Sequence, residues 1–190
     1  MRGIVVILFF CQILSACGEK VAMPKPRGLY RIEIPETHSV EFTSEELPYE
    51  FALSQLVTVE LPPLDTRSDW INLSYESLSA KIYCSYQKIQ KDELPVLEQE
   101  CRDLVFRSIK RADAVREQIY ENSKTDVYGV LFLIEGETPS PIQFMLTDST
   151  SHFFRGALYY QCAMDVDSLA PVTVYLYRDI AKLIQTFRWK

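Results

Sequence analysis

The hydrophobic period changes three times along this 190-residue chain, and that rhythm limits the fold more than any other feature. Tyr30, Ile32 and Ile34 alternate with Arg31 and Glu33 as far as Pro35. Val57, Val59 and Leu61 alternate with Thr58 and Glu60 as far as Pro62-Pro63. Ile71, Leu73 and Tyr75 alternate with Asn72 and Ser74, and Ala80, Ile82, Cys84 and Tyr86 with Lys81, Tyr83 and Ser85. A period of two puts one side of each segment on a core, which predicts antiparallel strands with one wet face. From Asp92 the spacing becomes helical: Leu94, Leu97, Cys101, Leu104, Val105, Ala112, Val115 and Ile119. Asp92 suits an N-cap, Pro95 is tolerated in a first turn, and Asn122 suits a helix end. About 29 residues at 1.5 Å each would span about 43 Å, so a bend is expected near Ser108 to Ala112. Glu98 with Arg102, and Asp103 with Arg107, are expected as i,i+4 pairs on its wet side.

Alternation returns at Val127 to Ile134, Ile142 to Leu146 and Phe153 to Tyr160, with Gly136 turning the chain and Gly156 marking a bulge or a crossing. These three segments read as a meander. Asp165 to Ser168 then offer N-caps for a last helix with Pro171 in its first turn. Its buried stripe is Leu169, Val172, Leu176, Ile180, Leu183, Ile184 and Phe187. The order predicts an α+β fold, a mainly antiparallel sheet packed with a long central helix and a C-terminal helix. The layout resembles the small PsbP/Mog1-type sandwich domains, where a late meander feeds a C-terminal helix with an aromatic ending. Phe187-Arg188-Trp189 would be that ending here.

The first residues set the expected address. Arg2 is the lone charge before Glu19, and Ile4 to Phe10 opens an apolar stretch that runs on to Leu14. That stretch is shorter than the roughly 20 residues a membrane-spanning helix needs. A basic start, a short apolar core and a small-residue exit describe a secretory leader over residues 1–16. The exit, Leu14-Ser15-Ala16-Cys17, resembles the bacterial lipobox, which makes Cys17 the expected lipid-bearing residue. Two or more acyl chains would hold it stably in a membrane, at about 0.8 kcal/mol per buried methylene. Residues 17–28, with Pro24, Pro26 and Gly28, read as an extended tether, and residues 29–190 as one globular domain. Gly18-Glu19 lacks the Asp that retains some lipoproteins at the inner membrane. This points to the outer membrane, facing the periplasm.

Charge narrows the partners. The whole chain carries 20 basic and 26 acidic side chains, a net of −6; without Arg2, the count is 19 against 26, a net of −7. Phosphate recognition needs a dense basic face, so nucleic acid is not an expected partner. Beyond Cys11 and Cys17, the cysteines are Cys84, Cys101 and Cys162. They read mainly as small buried hydrophobes, with one disulfide among them left open. No metal-ligand spacing and no nucleotide motif occurs, so no metal or cofactor is expected.

Asp148, Ser149 and His152 spell the letters of a hydrolase triad. Triads draw their partners from distant segments, and no glycine-rich elbow surrounds Ser149, so a backbone-satisfying turn is the better reading. Arg155 reads either as an anchor for a partner carboxylate or as the ion partner of Asp148. Tyr159, Tyr160, Tyr175 and Tyr177 suit an interface or a sheet rim equally. His38 reads as solvated.

Five stretches in order resemble the gliding-motility lipoprotein GldD family: the lipobox at Cys17, PKPRG at Pro24 to Gly28, SPIQF at Ser140 to Phe144, TDSTSHFFRGALYY at Thr147 to Tyr160, and DSLAP with TFRWK at Asp167 to Pro171 and Thr186 to Lys190. The resemblance implies a cell-envelope lipoprotein required for gliding and for the linked type IX secretion machinery. It implies a membrane tether through Cys17, protein partners and no catalysis. It also marks a departure: Leu47 and Asp69 stand where such members often have cysteines, so a disulfide there cannot form. The expected partner-binding residues are Asp148, Ser149, Thr150, His152 and Arg155, gathered near one end of the meander. The alternatives are a small-ligand or cell-wall-binding module, or a hydrolase of unrecognised type. Trp70 read as strand-borne and Trp189 as terminal weigh against a carbohydrate binder.

Overall fold

The computed structural model describes residues 38–61, 70–108, 112–161 and 166–190. The expected leader, Cys17, the tether and the strand at Tyr30 to Pro35 lie outside the described residues, as does Cys162. In chain order the elements are β1 (Ser39–Phe42), β2 (Tyr49–Ser54), β3 (Thr58–Glu60), β4 (Ile71–Tyr75), β5 (Ala80–Lys88), α1 (Leu94–Ser108), β6 (Ala112–Asn122), β7 (Val127–Gly136), β8 (Ile142–Thr147), β9 (His152–Tyr160), α2 (Val166–Thr186) and β10 (Arg188–Trp189). The fold is α+β, and every described strand pairing is antiparallel. A seven-stranded sheet runs β3-β4-β5-β9-β8-β7-β6, beside a three-stranded sheet β1-β2-β10. The predicted meander is β7–β8–β9. Its last strand pairs with β5 from Ala80↔Tyr160 to Lys88↔His152, joining the two halves of the chain.

Alternation along these strands makes two cores. On one face of the large sheet, Leu73, Ile82, Phe144, Leu146, Phe154 and Leu158 pack against Tyr49 and Phe51 of the small sheet and the stripe of α2. That stripe (Leu169, Val172, Leu176, Ile180, Leu183, Ile184 and, just beyond the helix, Phe187) is buried throughout, as its spacing predicts. Rings crowd its centre: Tyr49 meets Phe154 edge-on at 4.8 Å, and Phe154 lies 5.1 Å from Phe187. On the opposite face, Phe132, Ile134, Met145 and Phe153 pack against Cys101 and Val105 of α1. At about 1.5–3 kcal/mol per buried large apolar side chain, the first core outweighs the second by number of members. Gly156 marks a crossing and not a bulge, since its register with β5 and β8 is unbroken. A Cβ there would sit 2.3 Å from Cζ of Phe144, so the glycine makes room for that ring to cross β9.

The long helix is a correction. Helix α1 ends at Ser108, and Ala112–Asn122 is the edge strand β6. Val115 and Ile119 are four apart, a spacing that falls on one face of a helix and equally on one face of a strand. Pairing with β7, from Ala112↔Gly136 to Asn122↔Val127, decides for the strand. Asn122 opens a turn instead of closing a helix, its Oδ1 accepting from the Lys124 N–H at 3.2 Å. Glu93 stands where Asp92 was expected: its carbonyl accepts the first helical bonds from Val96 and Leu97. The expected pairs along α1 are also replaced. Arg102 reaches β6 and donates to both carboxylate oxygens of Glu117 at 2.9 and 2.8 Å, while Asp103 accepts from Gln99. Both bonds come from one guanidinium nitrogen, Nη1, which sits between the two oxygens of a carboxylate on β6 and not beside Glu98 one turn away. The small sheet is not among the expected elements, although in β2 Tyr49, Phe51 and Leu53 alternate with Glu50, Ala52 and Ser54; in the structure all of these but Glu50 are buried.

Candidate functional site

The turn between β8 and β9 is organised by one carboxylate. Oδ1 of Asp148 accepts from the backbone N–H groups of Thr150 (3.0 Å), Ser151 (2.8 Å) and His152 (2.8 Å). Oδ2 accepts from the hydroxyls of Thr150 (2.5 Å) and Ser151 (2.8 Å). Partial burial alone would raise this carboxyl's pKa; the hydroxyl of Thr150 and the three N–H groups outweigh it and hold the group well below the usual carboxylate range. Ser149 takes a left-handed conformation (φ 67°), and its N–H donates to Oγ1 of Thr147 at 2.9 Å. The sequence Asp-Ser-Thr-Ser therefore acts as a self-satisfied turn.

The triad letters do not form a triad. Asp148 binds the backbone of His152, not its ring. The ring's Nδ1 is 2.7 Å from the hydroxyl of Tyr86, and the imidazole stacks on Trp189 at 5.0 Å. Trp189 is itself pinned, its indole N–H donating to the Asp126 carbonyl at 3.1 Å. Ser149 lines a recess of about 170 Å³ shared with Glu98, Tyr120 and Tyr128.

Arg155 stands apart from the turn. Its register, opposite Ser85 and Met145, puts it on the α1 side of β9, whereas His152 faces Tyr86 on the other side. The expected ion pair with Asp148 is absent, since that carboxylate is taken up by its turn. Among the described residues no carboxylate pairs with Arg155. Its neighbour is Cys101, whose thiol is pushed above its ordinary pKa by burial, against the pull of the Arg155 guanidinium. Arg155 lines a recess of about 120 Å³ with Trp70, Ser85, Gln87, Glu100 and Cys101. Cys84 and Cys101 are both buried and free.

Beyond that recess, α1 no longer covers the sheet. Trp70 (52% exposed), Tyr83 (47%) and Tyr159 (38%) stand on this side. Tyr83 and Tyr159 meet edge-on at 5.6 Å, next to the 2.9 Å pair of Lys81 with Glu60. Trp70 is thus more open than a strand-borne tryptophan was expected to be. The signal was in the alternation: Ile71, Leu73 and Tyr75 share one face, which puts residue 70 on the opposite one with Asn72 and Ser74. The tyrosine cluster divides. Tyr160, Tyr175 and Tyr177 hydrogen-bond Thr173, Ser54 and Gln118 around α2, and Tyr159 alone turns to the open side. Among the described residues no three His, Cys, Asp or Glu converge as metal ligands, and no described helix is long and apolar enough to cross a membrane.

Residues 19–189 match a family model described as gliding motility lipoprotein GldD. No curated protein matches the chain. Among solved structures it is similar to the solution structure of cyanobacterial PsbP (CyanoP) from Synechocystis sp. PCC 6803. The identity is 7%, the match covers 83% of this chain and 95% of that one, and the TM-score is 0.48.

Proposed function

The chain belongs to the gliding motility lipoprotein GldD family, and from that membership we propose that it is a lipid-anchored, non-enzymatic envelope component that supports gliding and the linked type IX secretion machinery by holding protein partners. Residues 1–16 are its leader, Cys17 carries the lipid, residues 17–28 are the tether, and residues 29–190 form one globular body in the periplasm, hung from the outer membrane. Asp148, Ser149, Thr150, His152 and Arg155 contribute to partner contacts. The observation that carries this reading is the family match over nearly the whole chain. The Asp148 turn supports it: its exposed end is held rigid by its own hydrogen bonds, so a partner would meet a surface with little ordering left to do.

Replacing Cys17 by Ser tests the anchor. Labelled fatty acid should no longer be incorporated, the protein should leave the membrane fraction, and cells relying on it should lose gliding. Continued labelling of Cys17→Ser would refute the anchor, and normal gliding by cells lacking the protein would refute the motility role. A second reading, a cell-wall-binding module, is favoured by the exposure of Trp70 beside Tyr83 and Tyr159, since flat rings suit sugar faces. Retention on isolated sacculi that is lost in Trp70→Ala would favour it.

A further inference from the structure

We propose that the recess between α1 and the β4–β5–β9 part of the large sheet is a binding site for a peptide carboxylate, with Arg155 taking the carboxylate and Trp70 covering the side chain next to it. This deepens the reading of the body as a module that holds peptide partners. Guanidinium presents five N–H donors in a fixed fork, and in a recess they call for a planar acceptor. Arg155 has none: among the described residues its polar neighbour is the Cys101 thiol, a weak acceptor, and no carboxylate pairs with it. Lys81, another cation on this face, is already held by Glu60 at 2.9 Å, so among the described residues of this face the open charge is that of Arg155.

The other walls select the ligand. The cavity of about 120 Å³ admits one terminal group or side chain, not a folded surface. Ser85 and Gln87 add neutral hydrogen-bonding groups, and Trp70 offers a half-exposed apolar plane. Glu100 at the rim repels a second negative charge and accepts an N–H. A doubly charged phosphate would face one cation and a carboxylate. A singly charged carboxylate beside a peptide N–H satisfies both sides. The chain as a whole is acidic, at a net −6, so affinity here is local and not a general attraction for anions.

The carboxylate could be a protein C-terminus, an acidic side chain, or the free end of a cell-wall stem peptide. Four probes distinguish them in calorimetric titrations of the full chain: an N-acetylated apolar tripeptide with a free C-terminus, the same peptide amidated, an amidated peptide with an internal Asp, and a stem peptide ending in D-Ala. At least one carboxylate-bearing probe should bind, and the preferred one names the source. Amidation of the free-ended peptide, or Arg155→Gln, should weaken binding by about tenfold or more, with Arg155→Lys between. The comparison of free and amidated ends needs no variant, so it stands even if Arg155→Gln misfolds. Equal binding of the four probes, no binding at millimolar peptide, or unchanged binding by folded Arg155→Gln would overturn the site. Normal gliding without the protein would instead sink the motility reading and leave these titrations untouched.

Discussion

Phe153 and Phe154 are neighbours in β9, yet alternation sends them to unlike surroundings. Phe154 is fully buried among Tyr49, Phe51, Phe144 and Phe187, under α2 and the small sheet. Phe153 is also buried, but in the smaller cluster beneath α1, and it lines both recesses on that side. Among the described residues, α2 and the small sheet pack on one face of the large sheet and α1 on the other, where Trp70, Tyr83 and Tyr159 are exposed. A fold whose stability is concentrated on one face can leave side chains on the other open for binding, because those side chains contribute little to holding the chain together.

The largest expected effect tests that division directly. Phe154→Ala should cost at least about 3–5 kcal/mol, because it empties the centre of an aromatic cluster that cannot collapse around the gap. Phe153→Ala removes the same atoms but borders existing recesses into which neighbours can relax, so it should fall at or below about 3 kcal/mol. Urea unfolding of the two variants measures both. Equal losses would mean that the α1 face is as firmly built as the other, and the division would fail.

How legible a segment is depends on whether its residue types repeat with one period. α2 is readable because it keeps a polar stripe against an apolar one, and β8 is readable although it is buried on both faces, because Ile142, Phe144 and Leu146 alternate with Gln143 and Met145. β6 is misread because Val115 and Ile119 satisfy two periods at once, which only pairing with β7 resolves. At the candidate site, the Asp148 turn was local chemistry, written in four consecutive residues. The Arg155 recess was not. It joins Trp70, Ser85 and Arg155 through the β5–β9 pairing, a neighbour relation between distant segments that no local pattern records.

The second effect concerns the turn that feeds residues to each face. Asp148→Asn keeps the shape but weakens five hydrogen bonds, and should cost about 1–3 kcal/mol at neutral pH. The folded-state pKa of Asp148 is depressed, so its contribution is fully present above the ordinary carboxylate value of about 4 and is lost as pH falls below it. The stability gap between wild type and Asp148→Asn should therefore shrink in acid. Asp179, a half-buried acceptor from Tyr75 whose pKa is raised chiefly by desolvation, acts with the opposite sign. Its protonation favours the folded state as pH falls, and it is common to both proteins, so it cancels in the difference. Melting curves from pH 7 to pH 3 check this; a gap that widens in acid would mean the turn does not depend on the ionised carboxylate.

The smallest effect on stability is expected where function is proposed. Arg155 makes no ion pair with a described carboxylate, and Trp70 is half exposed, so neither Arg155→Ala nor Trp70→Ala should cost more than about 1 kcal/mol. Arg155→Ala has a specific reason to stay small: it relieves a half-buried cation of its desolvation and breaks no ion pair with a described carboxylate, losing only the contact with the Cys101 thiol. A residue that fits its surroundings poorly in the isolated molecule, yet sits in a recess shaped to receive something, has its best partner outside the chain. The two variants should therefore melt with wild type while losing partner capture in cells. Had Arg155 been a structural strut between α1 and the sheet, Arg155→Ala would instead melt several degrees lower, and any loss of capture would follow from unfolding. Melting temperature and crosslinked co-purification, read on the same preparations, separate these cases. A large drop in the first would move Arg155 from the loosely covered face's binding surface into its core.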